Sequence, residues 1–120
     1  MRSGFLAMLF LPWVLQAQPT ARVFIDSADA GQARLATSIN EMLFDSPTLR
    51  SLLAVEVFDI NGVAPDFSGW IHYTRDRGGE MISRYRPPAL PFLICLNGQR
   101  ETLRLRLENK EQLCLCTQGC

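Results

Sequence analysis

The segment Tyr85-Arg86-Pro87-Pro88-Ala89-Leu90-Pro91-Phe92-Leu93-Ile94-Cys95-Leu96-Asn97-Gly98 constrains the fold of this 120-residue chain more than any other. An aromatic residue and two prolines lead into Leu90-Pro91, an apolar run of strand length follows, and Asn97-Gly98 ends it. The tertiary amide of an X-Pro bond reduces the trans preference to about 0.5–1 kcal/mol, so a proline at a strand entry is a place where a fold holds a cis peptide. Asn-Gly supplies the positive φ angles of a tight hairpin, so the next strand returns antiparallel. That strand is Thr102-Leu103-Arg104-Leu105-Arg106-Leu107-Glu108, whose strict alternation predicts one buried face and arginines in water.

Upstream, Ala21–Asp26 reads as a first strand ending in the polar turn Ser27-Ala28-Asp29-Ala30-Gly31, where Ser27 or Asp29 caps a helix. Leu35, Ile39, Met42 and Leu43 recur at i, i+4, i+7 and i+8, which is one apolar helical face. Ser46 and Pro47 are a helix cap and a first helical residue, opening a short second helix with Leu49, Leu52 and Leu53. Ala54–Ile60 is a second strand. Helix-length material separates it from the first, which predicts a parallel pair joined by a right-handed crossover. Within residues 63–86, Ser68 is placed to cap a helix over Gly69–Arg75, Gly78-Gly79 would end it, and Glu80–Tyr85 forms a further helical turn. After Glu108-Asn109-Lys110, the segment Gln112–Cys116 reads equally as a fifth edge strand or as the start of a final helix.

This order of elements, with Tyr85 six residues before Pro91 and Asn97-Gly98 after the strand, resembles the thioredoxin fold over residues 21–107. The resemblance implies an α/β domain with a mixed sheet of four to five strands and flanking helices. It also implies a reactive position. Redox members of that superfamily carry Cys-x-x-Cys between the first strand and the first helix, where the helix dipole lowers the pKa of the nucleophilic thiol. The matching positions here are Ser27-Ala28-Asp29-Ala30, so thiol chemistry at that place is impossible. Capping and turn formation account for Asp26, Ser27 and Asp29; a polar ligand contact opposite Pro91 is the alternative.

Met1–Ala17 reads as a secretory signal peptide: Arg2, an apolar core from Phe5 to Leu15, and Leu15-Gln16-Ala17 as a small-residue cleavage site. Pro12 interrupts that core, which falls well short of the ~20 residues of a membrane span. No stable span is expected once it is removed, and there is no Leu-x-x-Cys for a lipid anchor. Residues 18–120 then form one small domain with a cysteine-rich tail. Arg2 is the one charged residue of the first 17, so 11 basic residues face 12 acidic ones in the remainder. Such a near-neutral surface speaks against nucleic-acid binding.

Cys95, Cys114, Cys116 and Cys120 are the four cysteines. Export to a periplasmic or extracellular compartment makes two disulfides the expectation. Cys95 is expected to pair with Cys114 or Cys116, and Cys120 with the other. A redox-active Cys114/Cys116 pair and an intermolecular disulfide are the competing readings. A metal site is not expected, because no Cys-x-x-Cys exists and His72 is the only imidazole.

Trp70, Tyr85, Leu90 and Pro91 are the candidate partner-binding residues, with Tyr73 a further aromatic for a groove near Pro91; the structural alternative is that the aromatics cover the sheet. Arg84, Arg86, Arg100, Arg104 and Arg106 make the C-terminal half locally basic. No glycine-rich phosphate loop or Ser/His/Asp arrangement is present, so no cofactor is expected. The leading expectation is therefore a non-catalytic exported thioredoxin-like protein that works as an envelope assembly or interaction module. Val23-Phe24-Ile25-Asp26-Ser27 resembles the opening strand of assembly factors of conjugative secretion systems, which lack the cysteine pair. The alternatives are a thiol–disulfide oxidoreductase using Cys114/Cys116 and a disulfide-stapled secreted domain of another fold.

Overall fold

Every residue from Ala21 to Ile25 except Arg22 is buried, a pattern that a strand reaches only inside a sheet covered on both faces. In the computed structural model, which describes residues 18–61, 67 and 69–120, this is strand β1 (Thr20–Ile25). It pairs in parallel with β2 (Ala54–Asp59), Thr20 opposite Ala54 through Ile25 opposite Asp59. On its other side it pairs antiparallel with β4 (Phe92–Asn97), Phe24 opposite Phe92 and Ala21 opposite Cys95. β3 (His72–Arg75) adds in parallel to β2, and β5 (Arg100–Arg106) adds antiparallel to β4. The sheet order is β3-β2-β1-β4-β5. The expected signal segment, Met1–Ala17, and the expected cap Ser68 lie outside the described residues.

Between β1 and β2 run helices α1 (Ala30–Asp45) and α2 (Pro47–Leu52). The apolar stripe of α1 buries Ala36, Ile39 and Leu43. Burying Ile39 and Leu43 contributes about 1.5–3 kcal/mol each. They meet Val23, Ile25, Val55, Val57, Leu93 and Cys95, which point to one face of the sheet. Ser46 ends α1 and starts α2, its hydroxyl accepting from the Leu49 N–H at 3.1 Å with Pro47 in the first turn. The opposite face carries Phe24, Phe58, Phe92, Ile94 and Leu96, covered by α3 (Glu80–Tyr85) through Met81, Ile82 and Tyr85. Phe24 and Phe58 stack at 5.5 Å between ring centroids.

One element differs from expectation, and the C-terminal segment takes the helical of its two readings. His72–Arg75 is a strand rather than the end of a helix, because pairing with Glu56–Asp59 decides its state. Residues Lys110–Cys116 form a 3-10 helix, with Asn109 and Gln112 capping each other and Leu113 fully buried beneath α1 and β4. The hairpin after β4 turns through Gly98-Gln99, since Asn97 still pairs with Arg100 and Gly98 takes the positive φ of 65°. Among the described residues, no helix is long and apolar enough to cross a membrane.

Candidate functional site

The alternation of β2 aims Val55, Val57 and Asp59 at the same face, so the last of them carries a carboxylate into the core. Asp59 is fully buried and sits opposite Ile25, at the carboxyl ends of the parallel strands β1 and β2. In open α/β sheets this is the end that builds binding sites. Four donors converge on the carboxylate. Oδ1 accepts from the backbone N–H of Ser27 and of Asn61, both at 3.0 Å. Oδ2 accepts from the Ser27 hydroxyl and the Tyr73 hydroxyl, both at 2.5 Å. Burial pushes the Asp59 carboxyl up, but the hydrogen bonds from Ser27, Tyr73 and the two backbone N–H groups outweigh it and hold it below the usual carboxylate range.

Ser27 therefore does not cap α1. Its hydroxyl and its N–H are both bonded to Asp59, and Asp29, which precedes α1, makes no side-chain capping bond. The Ser27–Asp29 turn is further ordered by Asp26, whose carboxylate accepts from Ala28 N at 3.0 Å. Asp26 N in turn donates to Gln32 Oε1 at 2.8 Å. The segment holds no thiol, and its one hydroxyl, that of Ser27, donates to Asp59, so these hydrogen bonds order the turn.

Across from this turn lies the entry to β4. The Leu90–Pro91 bond is cis, and the pairing of Phe92 with Phe24 sets Pro91 beside the end of β1. The Pro91 carbonyl accepts from Leu107 N at 3.0 Å, and Leu90 packs half-buried on the Phe24–Phe58–Phe92 cluster. Tyr85 packs on the same cluster, its ring 6.0 Å from that of Phe24, and its hydroxyl accepts from the Arg22 guanidinium. Arg22 is also ion-paired with Glu56 at 2.6 Å. Burial lowers the Arg22 pKa, yet the Glu56 and Tyr85 contacts prevail and raise it. Arg104 reaches across from β5 to donate to the carbonyls of Tyr85 at 2.6 Å and Arg86 at 3.2 Å, closing the C-terminus of α3. Leu90, Pro91 and Tyr85 are thus neighbours at one end of the sheet.

Trp70 is not with them. It stands just before β3, near the amino ends of β2 and β3, and is 48% exposed. Its ring stacks under the Arg50 guanidinium at 4.0 Å, and its backbone N–H donates to Asn40 Oδ1 at 2.6 Å. The neighbouring Gly69 has a φ of 134°, and a Cβ there would come within 2.6 Å of the Asn40 amide, so glycine is required for this approach. His72 is exposed. The cysteines also gather at the amino end of β1: Cys95 bonds Cys116 and Cys114 bonds Cys120. Cys114 and Cys116 therefore belong to different disulfides. Among the described residues no group of His, Cys, Asp and Glu side chains forms a metal site.

The sequence reading passes over Asp59, and it places Tyr73 in a groove near Pro91, whereas the Tyr73 hydroxyl donates to Asp59. The signal for Asp59 was present, because an acid in phase with Val55 and Val57 at the end of an apolar strand must enter the core or end the strand. Nothing in the sequence marked Tyr73 as its partner, since the strand that aims it was itself read as helix.

No protein-family model and no curated protein sequence matches this chain. Solved structures do. StoA from Bacillus subtilis superposes with a TM-score of 0.63 at 14% identity, covering 83% of this chain and 82% of that one. The germline-specific thioredoxin Deadhead of Drosophila melanogaster gives a TM-score of 0.55 at 11% identity, covering 80% of this chain and 74% of the other. At such identities the likeness is one of architecture, and the architecture is thioredoxin-like: a mixed five-stranded sheet with flanking helices, entered at β4 through a cis proline.

Proposed function

We propose that this is an exported, non-catalytic thioredoxin-like protein, cleaved after Ala17, that serves as an assembly or interaction module of the cell envelope. Its partner is a protein that lays an extended segment against Leu90 and Pro91, beside Tyr85. One observation carries the reading. At the turn where redox members hold a thiol, Ser27 stands with both its N–H and its hydroxyl committed to the buried Asp59 carboxylate. A turn so fixed presents shape and backbone, not a reactive atom. The apolar N-terminal sequence and the two disulfides support an oxidising compartment.

The test is a photo-crosslinking side chain placed at half-buried Ala89, with a second placed at exposed Thr37 on α1 as the control. In cells, Ala89 is expected to give one discrete protein adduct and Thr37 none. The adduct is expected to persist in a Cys114→Ser, Cys120→Ser variant. Adducts from Thr37 alone would overturn the assigned surface. Loss of the Ala89 adduct in the serine variant would favour the thiol-dependent alternative instead.

A further inference from the structure

The two disulfides share one short segment but differ in what surrounds them. Cys95 is fully buried on β4, and Cys116 packs against the same core. Cys114 is half-buried and Cys120 exposed. The loop between these last two spans a sequence separation of 6; it is anchored to the core through Cys116–Cys95, and its hydrogen bonds run within itself. Thr117 N and Oγ donate to the Cys114 carbonyl at 3.1 and 2.9 Å, and Gly119 N donates to Thr117 Oγ at 2.9 Å. Opening this loop disturbs nothing in the core: Leu113 stays buried on one side, and Cys116 stays tied to Cys95 on the other.

Exchange requires a thiolate to reach a disulfide sulfur, so access decides which of two bonds reacts. We propose that Cys114–Cys120 is a thiol–disulfide exchange site that takes a dithiol as its reductant, with Cys120 Sγ the sulfur attacked. Cys95–Cys116 is the permanent staple. One donor thiolate forms a bond to Cys120 Sγ while the Cys114–Cys120 bond breaks and its electron pair leaves on Cys114 Sγ, which takes a proton from water. The donor's second thiol, as thiolate, then attacks the mixed disulfide and releases the Cys120 thiol. The donor ends as a disulfide and the protein with two thiols, in a single round that is independent of the partner surface at Leu90-Pro91.

The exchange has a structural readout. Leu115, Thr117 and Gly119 line a groove of about 690 Å³ together with Leu52, Leu96 and Leu103. Reduction frees the lining segment from Thr117 to Gly119, while Cys116, which also lines the groove, stays tied to Cys95.

The full chain in its oxidised form is treated with limiting dithiothreitol at neutral pH without denaturant, quenched with iodoacetamide and mapped by mass spectrometry. Labels are expected on Cys114 and Cys120 at a rate at least about tenfold above those on Cys95 and Cys116. Equal rates, or earlier opening of Cys95–Cys116, overturn the proposal. With reduced glutathione and an acid quench, the mixed disulfide is expected on Cys120, and finding it on Cys114 overturns the assignment of the attacked sulfur. A Cys114→Ser, Cys120→Ser variant keeps the staple and is expected to take up no label under the same limiting conditions; labelling of its Cys95 and Cys116 overturns the division of roles.

Discussion

Replacing Asp59 removes the acceptor for two hydroxyls and two backbone N–H groups at once. A hydrogen bond to a charged group is worth about 1.5–3 kcal/mol in mutational series, and bonds that share one acceptor do not add fully. Ser27 and Tyr73 are half-buried and recover some water, so Asp59→Ala is expected to cost about 3–5 kcal/mol rather than the full sum. In a domain of this size that lowers Tm by roughly 12 °C or more. Asp59→Asn keeps one acceptor oxygen and adds two N–H donors facing four existing donors, so it is also destabilising, by about 2–4 kcal/mol. The pH dependence separates the charge from the packing. The Asp59 carboxyl titrates lower in the folded protein than in the unfolded chain. Its contribution is therefore complete above about pH 5 and is lost as acid drives the pH through about 4 toward the folded value. Urea unfolding followed by circular dichroism at pH 7, 5, 4 and 3 tests this. The gap between wild type and Asp59→Asn is expected to shrink steadily below pH 5. An Asp59→Ala cost below about 1 kcal/mol, or a gap that ignores pH, would refute the reasoning.

Three further outcomes are expected. Arg104→Ala removes the donors to the Tyr85 and Arg86 carbonyls and the guanidinium lying 5.5 Å over the Phe92 ring. Urea unfolding should show a loss of about 1–2 kcal/mol, only partly recovered by Arg104→Lys, which lacks the forked donors. The chain-entropy model gives about 3.4 kcal/mol for Cys95–Cys116, at a separation of 21, and about 2.4 kcal/mol for Cys114–Cys120, at a separation of 6. Paired Cys→Ala variants compared under identical non-reducing conditions should keep that order. Intact-mass analysis of envelope material is expected to show a chain beginning at Gln18, and finding the full-length chain in the cytosol alone would overturn export.

The parts of the fold written in local chemistry were readable. Leu90-Pro91 and Asn97-Gly98 announced the cis entry and the hairpin of β4 and β5, and Ser46-Pro47 announced the break between α1 and α2. The alternation at residues 102–107 put Leu103, Leu105 and Leu107 inward and Arg104 and Arg106 outward. The parts written in pairing were not readable. His72–Arg75 is too short to show a period, and it becomes a strand only because β2 offers it an edge. Trp70 was grouped with Pro91 on composition alone, and the direction of β3 sends it to the other end of the sheet. The 3-10 helix at Lys110–Cys116 follows from the need to bring Cys116 to Cys95 while burying Leu113, which no local propensity states.

The site follows the same division. A redox turn needs a reactive thiol at the head of α1. Here the turn is tied from below instead, by a carboxylate whose burial is repaid by four hydrogen bonds and whose position depends on β2 keeping phase through Val55 and Val57. That tie orders the turn opposite Pro91 through the Ser27 N–H and hydroxyl. The two disulfides stand at the amino end of β1, where Ala21 faces Cys95. The surface proposed for binding, at Leu90-Pro91, and the disulfide segment proposed for exchange thus lie at opposite ends of the sheet.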